Sequence, residues 1–319
     1  MKNSYTIQRY KDLLALEETE NTLDMSEKSN NFSQWSILPN GVYAPAQDTV
    51  KKLKAGLYEI KFDNGMGTYV MVHQHLNADE LFFLPSPEIQ EVIEDIKKFW
   101  GQIETFKTYK FAHKRGILLY GEPGCGKSSI IQLCMKHIVE EMDGIVINVK
   151  DEDDVDNYLS FIHNFRKVEP SRPLIVIMED LDSIVGEDRY STSRVLNVLD
   201  GIKQIENVVY IATTNYPEKL EARITDRPSR FDRRYEVQLP DEEMRLAYFN
   251  HKIPASDITK IDIEKWVKDT EKMSIAHLRE LIISTVVLGN TYEETIDKLK
   301  NLKTKPRNKK STSLGFGSK

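Results

Sequence analysis

The chain has 319 residues, 40% of them apolar and 29% charged, with a formal net charge of −6. A chain of this size can bury at least one full core, and its mild acidity argues against a surface that binds nucleic acid throughout. No apolar run approaches the roughly 18–20 residues of a membrane-spanning helix, the start MKNSYTIQRYKD has no apolar leader core, and two cysteines, Cys125 and Cys134, cannot build a disulfide framework, so a cytoplasmic setting is expected.

Residues 1–84 read as a small separate α+β unit. YTIQRYKDLLAL has helical spacing, with Ile7, Tyr10, Leu13 and Leu14 on one side, and the polar stretch from Glu17 to Gln34 reads as a loop or strap. GLYEIKF alternates apolar and polar residues, DNGMG supplies a turn and TYVMVHQ runs back, which predicts a hairpin. His73 and His75 share one strand face, but no third ligand accompanies them, and a wet edge strand is the simpler account.

From Pro85 the pattern changes to strands alternating with helices: a helix over EIQEVIEDIKKFW, strand GILLYG, helix SSIIQLCMKHIVEEM, strand IVINV, helix VDNYLSFIHNF, strand LIVIM, helix VLNVLDGI, and strands VVYIATTN and RRYEVQL. Near-continuous apolar strands separated by helices predict a parallel sheet covered on both faces, an α/β domain over residues 85–240. After Pro240 four helix-like segments predict a small helical domain over 241–302. The end, 303–319, carries six basic residues and no acid, reads as disordered, and could hook nucleic acid, a role not favoured here.

One stretch carries chemistry by its spelling. GEPGCGKS, Gly121 to Ser128, fits G-x-x-x-x-G-K-[ST] without a gap, after an apolar strand and before a helix. The glycines let successive backbone N–H groups face phosphate oxygens, and the helix adds the positive end of its dipole. Gly121, Glu122, Pro123, Gly124, Cys125, Gly126, Lys127, Ser128 and Ser129 are therefore candidate nucleotide contacts, Cys125 through its backbone alone. Lys127 would reach the β- and γ-phosphates, and the Ser128 hydroxyl would face Mg²⁺. Strand LIVIM stops abruptly at Glu179 and Asp180, with Asp182 close behind. A nucleotide site needs one carboxylate for the metal and another to activate water, and this pair could supply both. Asp182 either orients its neighbours or caps the next helix.

These motifs, with YIATTN and RPSRFDRR in the same order, resemble the AAA ATPases, P-loop NTPases built as a parallel sheet followed by a helical lid. The likeness runs from about Pro85 to Leu302 and looks closest to the branch of the mitochondrial ATPase that translocates the Rieske iron–sulfur protein. It implies ATP and Mg²⁺ as ligands, Glu179 on the metal side with Ser128, and Asp180 as general base. Asn215 would be the γ-phosphate sensor, and Arg227 and Arg230 would be fingers reaching a neighbouring subunit. It further implies a ring, of six or seven copies, that remodels or translocates a protein or assembly. SIAHL places Ala276 against the adenine, with Ile275 where the family often has glycine, and His251 lies near a lid histidine that touches ribose. Ser229 replaces a usual glycine. The loop KDEDDVDNY lacks the aromatic-glycine pair of polypeptide-threading members. Two alternatives stay open: a slow-hydrolysing scaffold gated by nucleotide, and a nucleic-acid-associated ATPase using the tail.

Overall fold

The computed structural model describes residues 34–37, 43–46, 49–74, 87–185, 189–200, 205–220, 224 and 230–304. The expected helix at 5–16 and the tail beyond 304 lie outside them. The chain divides into two compact units, Met1–Leu53 and Lys54–Lys319. In the first, β1 (Gln34–Ile37) pairs antiparallel with β2 (Tyr43–Ala46).

The second unit is built on a seven-stranded sheet. Its strands are β3 (Gly56–Asp63), β4 (Thr68–Gln74), β5 (Lys114–Tyr120), β6 (Ile145–Asn148), β7 (Leu174–Met178), β8 (Val208–Thr214) and β9 (Arg233–Glu236), in the order β4-β3-β6-β7-β8-β5-β9. All neighbours run parallel except the β3–β4 hairpin. Every residue of β7 and β8 is buried, which explains their near-continuous apolar spelling: central parallel strands are covered on both faces.

The hairpin corrects the boundary expected at residue 84. Gly56, Leu57 and Tyr58 pair in parallel with Ile145, Val146 and Ile147, so β3 extends the central sheet rather than closing a separate unit. Asn157 Nδ2 donates to Ile60 O at 3.3 Å, and Lys150 pairs with Glu59, fixing the hairpin to the next helical layer. His73 meets Tyr58 edge-on, ring centroids 5.0 Å apart; His75 lies outside the described residues. Among the described residues no cluster of three potential metal ligands occurs.

The helices are α1 (Pro87–Trp100), α2 (Ile103–Thr108), α3 (Lys127–Met142), α4 (Glu152–Val168), α5 (Leu181–Val185) and α6 (Arg189–Asp200). Helix α3 buries Ile130, Ile131, Cys134 and Ile138 on one stripe, and α4 buries Val155, Tyr158, Ile162 and Phe165. At roughly 1.5–3 kcal/mol for each large side chain taken from water, either stripe outweighs the helix's intrinsic propensity. The acids of KDEDDVDNY cap α4: Asp151 accepts the Asp154 amide at 2.9 Å, and Asp154 accepts the Lys150 amide at 2.9 Å.

Beyond Pro240 come α7 (Glu242–Lys252), α8 (Ala255–Ile258), α9 (Ile263–Asp269), α10 (Ile275–Ile282) and α11 (Tyr292–Thr304), with a π-helical turn at Ile283–Val287. Phe249, Trp266 and Tyr292 form the aromatic centre of this bundle, each neighbouring pair of rings 5.4 Å apart. Buried Arg245 ties the bundle to the sheet's exit, donating to Val267 O at 3.0 Å and to Pro240 O at 2.9 Å. No helix among the described residues is long and apolar enough to cross a membrane.

Candidate active site

Strand order brings three carboxyl ends together. β5 lies beside β8 and β8 beside β7, with Tyr120 opposite Thr214 and Met178 opposite Ala212. The segments leaving these strands, Gly121–Gly126, Glu179–Asp180 and Asn215, therefore surround one crevice, where open parallel sheets bind ligands. The cavity measures about 350 Å³ and is lined by the loop residues Pro123 to Ser129 except Cys125, by Glu179, Asp180, Thr213 and Asn215, and by Ile275, Ala276 and Arg279 of the helical domain. That volume falls in the usual range for a small-molecule site.

The loop is shaped for close approach. Gly126, at φ +112, caps α3, and a side chain there would project into open space. Gly124, at φ +77, packs so tightly on the helical domain that a Cβ would lie 2.8 Å from Ala276 Cβ. The Ala276 amide donates to Gly124 O at 3.3 Å, so loop and lid are joined through backbone. Cys125 is buried away from the cavity, and burial raises its thiol pKa, so its side chain is a core group rather than a reactive thiolate.

Lys127 folds into the crevice, its Nζ donating to Gly121 O at 2.9 Å, Glu122 O at 3.0 Å and Asn215 Oδ1 at 2.6 Å. Asn215 Nδ2 in turn donates to Asp180 Oδ1 at 3.0 Å. Ser128 Oγ donates to Glu179 Oε2 at 2.6 Å. A hydroxyl and a carboxylate converging on a phosphate cradle are hard oxygen donors of the kind Mg²⁺ takes. Lys127 and the α3 N-terminus supply positive charge where a polyphosphate would lie. The residues present thus fit a nucleotide with its metal, provided Lys127 exchanges its internal acceptors for phosphate oxygens.

Asp182 does orient a neighbour: its Oδ1 accepts from Thr214 Oγ1 at 2.7 Å, and it also stands in the first turn of α5. Two expected site residues, His251 and Arg230, are not gathered here. His251 is exposed in the last turn of α7 and does not line the cavity. Arg227 and Ser229 lie outside the described residues. Arg230 is buried rather than presented outward, with its Nε 3.7 Å from Asp200 Oδ2. Its backbone is pressed against β5, where a side chain on Gly116 would reach 1.7 Å from Arg230 O. Conversely, Arg279 and Thr213 line the cavity without having been singled out. Arg279 could have been found from Ala276, since three residues along a helix is one turn of the same face.

Residues 117–239 match the family model described as ATPase family associated with various cellular activities (AAA). The chain is 31% identical over 213 residues to 26S proteasome regulatory subunit S10B homolog B of Arabidopsis thaliana, covering 61% of this chain and 52% of that protein. It is 30% identical over 210 residues to the proteasome-activating nucleotidase of Pyrococcus abyssi, 61% of this chain and 52% of the relative. Over 237 residues it is 27% identical to the cell division cycle protein 48 homolog of Archaeoglobus fulgidus, 67% of this chain and 32% of the relative. The chain thus spans about half the length, or less, of these curated relatives. The matched segment runs from β5 to the exit of β9 and includes the loop, both acids and Asn215.

Proposed function

We propose that the chain binds ATP with Mg²⁺ in this cavity and hydrolyses it as one subunit of a ring, of six or seven copies, that remodels or moves a protein or a larger assembly. One observation carries the reading: Lys127, Ser128, Glu179, Asp180 and Asn215, from three separate segments, converge at the carboxyl ends of adjacent strands. The AAA match and the similarity to a 26S proteasome regulatory subunit and to a proteasome-activating nucleotidase support it.

The roles follow from the chemistry of each group. Backbone N–H groups of Gly124 to Ser129 cradle the phosphates, and Lys127 neutralises the terminal ones once it leaves Asn215. Ser128 and Glu179 would hold the metal, whose charge would offset that developing on the phosphate oxygens. Asp180 accepts the proton of the attacking water while Asn215 orients it. Asp180 has one methylene fewer than a glutamate, and a misplacement near 1 Å can cost about a hundredfold in rate, so turnover is slow. Ala276 and Ile275 face the base, and Arg279 adds a cation from the lid.

The reading extends to Arg227 as the finger offered to the neighbour. Arg230 joins it only if assembly draws it from Asp200. The Glu-Asp order at 179–180 favours the Rieske-translocase branch, and a cytoplasmic location completes the proposal. A nucleotide-gated scaffold is the second reading, favoured by the internal Lys127–Asn215–Asp180 tie that turnover must break. Phosphate release per subunit, measured across a wide range of protein concentration, separates them. A ring ATPase gives specific activity that climbs and saturates, whereas bound ATP with negligible release at every concentration favours the scaffold. Asp180→Asn should keep ATP binding and lose release; retained release would remove Asp180 from the base role.

A further inference from the structure

Two consecutive threonines end β8, and strand alternation sends their side chains to opposite faces of the sheet. Both are buried, Thr213 at 2% exposure and Thr214 at 0%. Thr214, on the far side, donates to Asp182 Oδ1 at 2.7 Å and accepts the Tyr216 amide at 3.0 Å. Thr213 faces the cavity, and its Oγ1 accepts the Asp180 amide at 3.0 Å.

Asp180 needs that support. It sits at φ +49, a left-handed conformation that residues with a Cβ seldom take, though aspartate tolerates it better than most. It also opens α5, its carbonyl accepting the Ser183 amide at 2.7 Å. Asp151 and Asp241, which also open helices, are extended instead. The left-handed turn takes Asp180 out of the β7–β8 ladder, whose register runs to Met178 opposite Ala212. The Thr213 hydroxyl supplies the acceptor the ladder does not.

We propose that Thr213 is a positioning residue for hydrolysis, its hydroxyl locking the backbone turn that aims the Asp180 carboxylate at the attacking water. The proposal rests on the reading of Asp180 as the base. An aspartate carboxylate is set by two side-chain torsions where a glutamate has three, so its place follows the backbone closely. Asn215 restrains the same carboxylate from the other end, at Oδ1. Thr213 therefore acts on the backbone of the base and Asn215 on its carboxylate.

The test compares Thr213→Val, which keeps the branched shape and removes the acceptor, with Thr213→Ser, which keeps the hydroxyl. With Thr213→Val, kcat should fall by about 10- to 100-fold, the range expected for a misaimed catalytic group. KM and the dissociation constant for ATP should stay within about twofold, since the phosphate cradle is untouched. Thr213→Ser should return kcat to within about threefold of wild type. Thr213→Ala, which removes the hydroxyl without the branch, should reproduce the valine result if valine folds poorly. Unchanged kcat in the valine and alanine variants would overturn the proposal. So would a serine variant as impaired as valine, or a loss of turnover that merely tracks a lost melting transition. Wild-type protein without turnover would instead sink the ATPase reading itself, which separates the two failures.

Discussion

Gly124→Ala tests the junction between phosphate loop and lid. The glycine sits at φ +77, and the new methyl would lie 2.8 Å from Ala276 Cβ and 2.9 Å from Ser274 Oγ. The left-handed backbone costs an alanine about 1–2 kcal/mol. Overpacking a close contact adds about 1–3 kcal/mol. Ser274 Oγ can rotate away, giving up its 2.7 Å contact with His277 Nδ1. Ala276 cannot: its Cβ moves only with α10, and that motion also stretches the Ala276–Gly124 backbone bond. If the combined cost of about 2–5 kcal/mol is relieved by parting lid from loop, ATP affinity falls roughly 30-fold or more, at 1.4 kcal/mol per tenfold. The assay is equilibrium binding of a fluorescent ATP analogue, with the melting temperature recorded beside it. Ala276→Gly removes the nearest opposing atom and should recover part of the lost affinity in the double variant, as expected for residues in contact. Wild-type affinity in Gly124→Ala, or two losses that simply add, would refute the reasoning.

Asp151→Ala removes the cap of α4 and should cost about 1 kcal/mol in denaturant unfolding without altering ATP affinity. Burial raises the Cys125 thiol and pushes Cys134 up to about 12, so iodoacetamide near neutral pH should label neither in the native protein and both in denaturant. Rapid labelling of Cys125 with loss of ATP binding would contradict its placement. The Tyr292 hydroxyl donates to Asp269 at 2.8 Å and holds that carboxyl below its ordinary 3.8. A depressed carboxylate contributes stability above its unfolded value and loses it as pH falls through the folded one. Tyr292→Phe should therefore melt below wild type at neutral pH, and the gap should close under acid; a gap independent of pH would assign the loss to packing instead.

The sheet and the phosphate loop were legible because their signals are local. Leu174–Met178 and Val208–Thr214 spell buried central strands, and Gly121–Ser128 spells its own turn and helix start. The hairpin was legible as a hairpin but not as part of the sheet. Its pairing with Ile145–Ile147 joins residues almost ninety positions apart, and nothing in GLYEIKF encodes that partner. Burial of Arg230 was hidden for a similar reason: it depends on Asp200 and on the bare backbone of Gly116, neither near it in sequence. Thr213 went unread because a threonine in a strand is ordinary until the strand opposite turns left-handed at Asp180. Helix α8 was missed because it is about one turn long, too short for periodicity to register.

The most direct test of the central claim is steady-state phosphate release from Mg·ATP by wild-type protein and by Lys127→Ala, purified side by side at the same high concentration. The account predicts steady release by wild type and at least a hundredfold less by the variant, since Lys127 is the cation that bridges the phosphate cradle and Asn215. Equal release from both proteins would place the chemistry elsewhere, and no release or ATP binding from either would contradict the account.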